Sequence, residues 1–132
     1  MTGILYRKGN GNWISPADSG YANEDQLQAM IEEFPNLLPG VSADSFVCRE
    51  FNTDSGPIDN VIINSSDGSI TLVECKLARN PEVRRKIVGQ IIDYAASMYK
   101  LSFEEFHQRW KDRGGADLTS VETPREGLYL SE

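Results

Sequence analysis

The chain predicts an α/β domain, with a mixed or mostly antiparallel sheet flanked by helices and a small hairpin at its N-terminus. Three observations carry that expectation. Two β-branched apolar runs, 58–64 and 69–77, enclose Ser65-Ser66-Asp67-Gly68, and an Asp-Gly between such runs signals a hairpin. Leu27, Met30, Ile31 and Phe34 recur at i, i+3, i+4, i+7, the buried stripe of an amphipathic helix. Between Asn80 and Lys100 two further helical stripes run side by side.

The elements follow in order. Residues 4–15 read as a small hairpin turning at Gly9-Asn10-Gly11, and 15–20 is loop chemistry. Asn23 is an N-cap with Gln26 three residues on, close to a capping box. Glu24 opens the helix next to its inward stripe, and Pro35 and Pro39-Gly40 close it. Residues 46–51 predict a strand and 52–57 a turn, with Pro57 tolerated at a strand start. The two hairpin strands are apolar on both faces near their loop, which predicts a central place in the sheet.

Asn80-Pro81 then supplies an N-cap and a first-turn proline. One stripe of the long helix is Ile87, Ile91, Tyr94 and Met98, with Gln90 inside it. The second is Val88, Ile92, Ala95 and Tyr99, so a broad side is expected to pack on the sheet. Ser102 with Glu105 forms another capping box, ahead of Phe103, Phe106 and Trp110, and Gly114-Gly115 ends that helix. The expected core spans 23–113 of one domain, 1–132. The rest, 114–132, is a polar tail in which Leu128-Tyr129-Leu130 could open a strand leading into a further domain.

Composition narrows the function. A length of 132 residues suits one domain. No apolar run approaches the roughly 20 residues that span a bilayer, and the N-terminus lacks a signal-peptide core, so a cytoplasmic protein with no membrane role is expected. Cys48 and Cys75 sit in apolar strand patterns, as core thiols of a reducing compartment. The net charge of −7 argues against indiscriminate coating of nucleic acid. Yet Lys76, Arg79, Arg84, Arg85 and Lys86 cluster just behind the hairpin, and a local positive patch there suits a phosphodiester.

The hairpin holds the chemistry. A loop of 65–68 pairs Asn64 with Ser69 and carries Asp59 opposite Glu74. Lys76 is two residues beyond Glu74 and shares its face. Facing like charges, with side-chain roots about 5 Å apart, destabilise a ladder unless a cation is shared between them. Carboxylate oxygens are the ligands of magnesium and manganese, which keep waters and an open face for a phosphate. Lys76 then holds the attacking water or neutralises charge on the phosphate. The plain alternative is a surface hairpin with a diagonal salt bridge. Gln90 either reaches this site from the packed helix or keeps its amide in water; Glu24 either joins the site or merely suits its helix dipole. Arg79, Arg84, Arg85 and Lys86 form either a solvated face or a set of phosphate contacts. His107 is read as lying on an exposed helix face without a role. The chain lacks a nucleophilic serine with a partner histidine, a Gly-rich phosphate loop and metal-spaced cysteines.

Taken in order, these residues resemble the PD-(D/E)xK nuclease superfamily, in the branch with a Q-x-x-x-Y helix motif. Glu24 stands in a first helix, Gly56-Pro57-Ile58-Asp59 opens a strand, Val73-Glu74-Cys75-Lys76 lies in the next, and Gln90-Ile91-Ile92-Asp93-Tyr94 lies in a helix. Asn36-Leu37-Leu38-Pro39-Gly40 adds to the likeness, which covers roughly 24–99. The resemblance implies a restriction-endonuclease-like αβββα core and magnesium- or manganese-dependent hydrolysis of DNA, in repair or defence. It implies metal on Asp59, Glu74 and the main-chain carbonyl of Cys75, catalysis by Lys76, and support from Glu24 and Gln90, with Tyr94 joining the nucleic-acid contacts. Ile58 separates Pro57 from Asp59, a departure from the tightest form of the motif. Three readings stand at this point: a nuclease, a non-catalytic binding or interaction module of the same fold, and a small hydrolase acting on a nucleotide. A homodimer and a partner protein are left open.

Overall fold

The computed structural model describes residue 5 and residues 7–15, 23–77 and 81–118. Its elements run α1 (Glu24–Glu33), β1 (Phe46–Thr53), β2 (Gly56–Ile63), β3 (Ile70–Val73), α2 (Pro81–Tyr99) and α3 (Phe103–Asp112). Among the described residues the strands form one sheet, in the order β1-β2-β3. Both pairings are antiparallel, which meets the antiparallel form of the expectation and sets aside the mixed one. It also corrects the expectation that both hairpin strands are central. Only β2 is flanked on both sides, and Ile70 on β3 is half exposed.

The hairpin register is the expected one, with Ile63 opposite Ile70 and Asn60 opposite Val73. Asn64 donates to Ser69 C=O at 2.8 Å, and Gly68 takes a φ of +73°, which glycine adopts freely. The first turn is tighter than expected. β1 runs on to Thr53 and β2 starts at Gly56, with Pro57 paired to Asn52. The Thr53 hydroxyl donates to Gly56 C=O and accepts the Ser55 N–H, closing a short turn of its own.

Helices cover both faces of the sheet. On one side, Ile31 of α1 packs with Ile62 and Cys75, joined by Leu27, Val47 and Val73. On the other, Tyr94 of α2 and Phe106 and Trp110 of α3 pack with Cys48, Phe51, Ile58 and Val61. Both cysteines are free and buried, as expected of core thiols. Burial pushes each thiol up to about 11, so both stay protonated at neutral pH.

Asn23 caps α1 by accepting the Gln26 N–H at 2.8 Å. Phe34 is half exposed rather than buried, and Gln28 takes an inward position, its carbonyl accepting from Asn60 at 3.2 Å. On α2 only the first stripe packs. Val88, Ile92 and Tyr99 are 60%, 61% and 93% exposed, so the helix buries one narrow face and not a broad side. The Ser102–Glu105 capping box is present. Phe103 is half exposed against His107, whose side chain is only 12% exposed and reaches Asp117 at 3.2 Å, which corrects the reading of an exposed histidine. Gly114 and Gly115 end α3 by donating to Lys111 and Trp110 carbonyls, a Schellman closure.

At the N-terminus the turn closes through Gly11 N–H to Lys8 C=O, and residues 4 and 6 of the first predicted hairpin arm lie outside the described residues. So do Asn80 and the tail from 119, including Leu128-Tyr129-Leu130. Among the described residues no helix is long and apolar enough to cross a membrane.

Candidate functional site

Where the β2–β3 ladder stops, four of the predicted residues meet. The last pair is Asn60 with Val73, so Asp59 and Glu74 come next on their two strands. Beyond Val73 the chain stays beside β2 without further ladder bonds. The Asp59 carboxylate replaces the missing rung, accepting the Cys75 N–H at 2.7 Å. Side-chain alternation is kept through 73–75: Val73 and Cys75 face α1, and Glu74 points away from that core.

The Glu74 side chain is almost fully enclosed, 2% exposed, against 41% for Glu24. Oε1 lies 3.0 Å from Lys76 Nζ, while Oε2 is buried with no hydrogen-bond partner among the described residues. Lys76 Nζ also lies 3.5 Å from Glu24 Oε2, and Glu24 Oε1 accepts the Leu77 N–H at 3.3 Å. α1 thus delivers Glu24 to the segment that carries Lys76, well beyond what its own helix dipole requires.

The electrostatics are those of crowded acids. Burial raises the Glu74 carboxyl above 4.5; the Lys76 bond opposes this and the Asp59 charge adds to it. Burial likewise raises Asp59 above 3.8, against the Cys75 N–H and Lys76, with Glu50 and Glu24 adding to the rise. For Lys76 burial acts downward, but its bond to Glu74 and the surrounding carboxylates prevail and lift it above 10.5. Lys76 is therefore a fixed cation at neutral pH, holding a proton it does not readily give up.

Gln90 takes a different partner from the one expected. Its amide donates to the Tyr94 hydroxyl at 2.5 Å, one turn along α2. Tyr94 is buried, and its hydroxyl lies near Gly56, at the start of β2. Among the described residues Gln90 has no hydrogen bond to Asp59, Glu74 or Lys76. Arg84, Arg85 and Lys86 are exposed on the first turns of α2, and Arg79 lies outside the described residues.

Two residues of the neighbourhood escape a reading of the sequence. Asn60 is fully buried between Asp59 and Val61, tying β2 to the Gln28 carbonyl of α1. Glu50 stands on β1 at the one break in its pairing with β2, between the Arg49–Asn60 and Phe51–Ile58 pairs, and its charge bears on Asp59. Neither carries a motif, since one looks like a strand-edge amide and the other like a solvent-facing acid.

Among the described residues no three His, Cys, Asp or Glu side chains gather as a ready-made metal cage. Magnesium asks for less, being held by one or two carboxylates and several waters. The buried, unpartnered Glu74 Oε2 beside a second acid is the kind of donor such an ion requires. Compared with protein-family models, with curated proteins and with solved structures, the chain matches none.

Proposed function

We propose that this chain is a divalent-metal-dependent nuclease that hydrolyses phosphodiester bonds of DNA, built on a restriction-endonuclease-like αβββα core from α1 to α2. One observation carries the reading: a carboxylate oxygen of Glu74, buried and without a hydrogen-bond partner among the described residues, on a group whose other oxygen meets the Lys76 ammonium and which feels the charge of Asp59. An orphaned buried acceptor costs about 1–3 kcal/mol, and ligation of a cation removes that cost.

Asp59, Glu74 and the Cys75 main-chain carbonyl would hold magnesium or manganese. Such an ion polarises a phosphoryl oxygen and acidifies a bound water. The chain's own residues do the rest. Lys76, charged and fixed by Glu74 and Glu24, faces the charge that develops on the phosphate as water attacks in line. Glu24 positions that amine and clamps the main chain at Leu77. Gln90 positions Tyr94, and through it the start of β2. Arg84, Arg85 and Lys86 offer exposed charge for the flanking phosphates.

The experiment is incubation with single- and double-stranded DNA in magnesium or manganese. Cleavage by the wild type, abolished in Lys76→Ala and Asp59→Asn, is the expected result. Cleavage that survives Lys76→Ala rejects the assigned role. The acidic balance of −7 favours a second reading, a non-catalytic module of the same fold. Absence of cleavage on any strand, with metal binding retained, would select it.

A further inference from the structure

Asn60 is wholly buried in the middle strand of the sheet, on the side that α1 covers. There the helix meets the sheet through Leu27, Ile31, Val47, Ile62 and Val73. A leucine would suit such a layer, whereas a buried amide left without partners costs about 1–3 kcal/mol. Asn60 is bonded to two elements at once. Its Nδ2 donates to the Gln28 main-chain carbonyl at 3.2 Å, and its Oδ1 accepts the Cys75 thiol at 4.0 Å.

Both partners adjoin the site. Cys75 lies between Glu74 and Lys76, and Asn60 itself follows Asp59. Gln28 lies one turn after Glu24, on the same face of α1. A carbonyl carries two lone pairs, so Gln28 can accept from Asn60 and keep its helical bond. The asparagine thus ties together the strand of Asp59, the segment of Glu74 and Lys76, and the helix of Glu24.

Glu24 needs such a tie. Its contacts, 3.5 Å to Lys76 Nζ and 3.3 Å to the Leu77 N–H, lie near the outer limit of hydrogen bonding. A slide of α1 by about 1 Å would break both. Apolar packing is non-directional and by itself sets no such limit. Arg49 also links β1 to α1, reaching Asp25, Gln28 and Glu32. Asp25 is 80% exposed and Glu32 49%, and ion pairs that wet hold little. The enclosed Asn60 bond is the stronger restraint, because no water competes for it.

We propose that Asn60 is a positioning residue: through the Gln28 carbonyl it fixes α1 along the sheet, and so fixes Glu24 against Lys76 and Leu77. What this clamp contributes to phosphodiester hydrolysis rests on the nuclease reading above; the clamp itself does not.

The test is amide hydrogen exchange of the full chain, read by nuclear magnetic resonance in chelator and without DNA. Glu24→Ala removes the acceptor of the Leu77 N–H and so measures the protection lost when the clamp opens. Asn60→Leu keeps the branched shape without either bond. It should lower Leu77 protection severalfold, to the level of Glu24→Ala. The double variant should lose no more than either single one, because both act on one contact. Exchange by local opening does not follow global stability. A merely structural Asn60 would therefore alter the slowest β2 amides and leave Leu77 as in the wild type. That result overturns the proposal, as do additive losses or a Leu77 amide unmoved by Glu24→Ala. Should Asn60→Leu fail to fold, Asn60→Ser, one bond short of the Gln28 carbonyl, is read in the same way. Cleavage is assayed separately. A wild type that cuts no strand removes the nuclease reading and leaves the exchange result intact. Where the wild type cuts, Asn60→Leu should lose kcat together with Glu24→Ala while KM stays unchanged.

Discussion

The Cys75 N–H donates to Asp59 Oδ2 at 2.7 Å, one step past the last β2–β3 pair. An acid thus does the work of a main-chain carbonyl, and the end of the sheet depends on a residue assigned to chemistry. Asp59→Ala strips the partner from that N–H and should cost about 1–3 kcal/mol. Asp59→Asn keeps an acceptor while removing a charge that sits among other acids, so in chelator it should equal or exceed the wild type. Urea unfolding in EDTA separates the two variants. Manganese should raise the melting temperature of the wild type and leave Asp59→Asn unmoved.

Acid–base linkage gives a second expectation. Glu74 and Asp59 are raised in the folded chain, above 4.5 and 3.8. The native state then binds their protons more tightly than the unfolded chain does. Their contribution to stability is full below those values and is lost as pH rises through the folded ones. Asp67 and Glu105, held low by bonds from Ser69 and Ser102, act with the opposite sign at lower pH. The informative measurement is therefore a difference. Without metal, Glu74→Gln should gain on the wild type as pH climbs from about 4 towards neutrality, in urea titrations at matched ionic strength. A gap that stays constant across that range rejects the linkage.

Lys76 and Glu74 should behave as a unit. Removing the amine leaves a nearly buried carboxylate without its counter-charge, so Lys76→Met should destabilise the chain by about 1–3 kcal/mol. The double variant Lys76→Met/Glu74→Gln should recover much of that loss, because neither charge remains. A double-mutant cycle in EDTA measures the coupling, and strict additivity would contradict the pairing.

Packing supplies a fourth test. A Cβ at Gly115 would overlap the Trp110 indole, whose N–H is bonded to Ala116 C=O at 3.0 Å. Gly115→Ala should cost about 1–3 kcal/mol through overpacking, and Trp110→Ala about 3–5 kcal/mol through the cavity it leaves. Ile92→Glu, on the exposed side of α2, should stay within about 0.5 kcal/mol of the wild type. Thermal unfolding of the three variants in one buffer checks the ranking.

Local signals carried far in this chain. The Asp67-Gly68 loop fixed the hairpin register because side chains alternate strictly and a slip by one residue would turn every apolar group outward. From that register the neighbourhood of Asp59, Glu74 and Lys76 could be read in advance. The Asn23 and Ser102 caps were visible because they satisfy N–H groups within three residues. What failed were inferences of breadth. Two apolar stripes on α2 implied a wide buried face, but periodicity cannot say which stripe meets the sheet. Gln90 looked like a site residue and found Tyr94, since a partner one turn away costs less order than one across the core.

The sequence by itself determined the order of elements, the caps, the hairpin register and the meeting of two acids with a lysine, all of them local or two-strand relationships. Only the tertiary structure decided that α1 brings Glu24 to Lys76, that Glu74 is enclosed with one oxygen unpartnered among the described residues, and that the charge of Glu50 bears on Asp59. The physical reason is reach. Backbone periodicity is written residue by residue, whereas enclosure and charge crowding depend on which distant surfaces come to lie together.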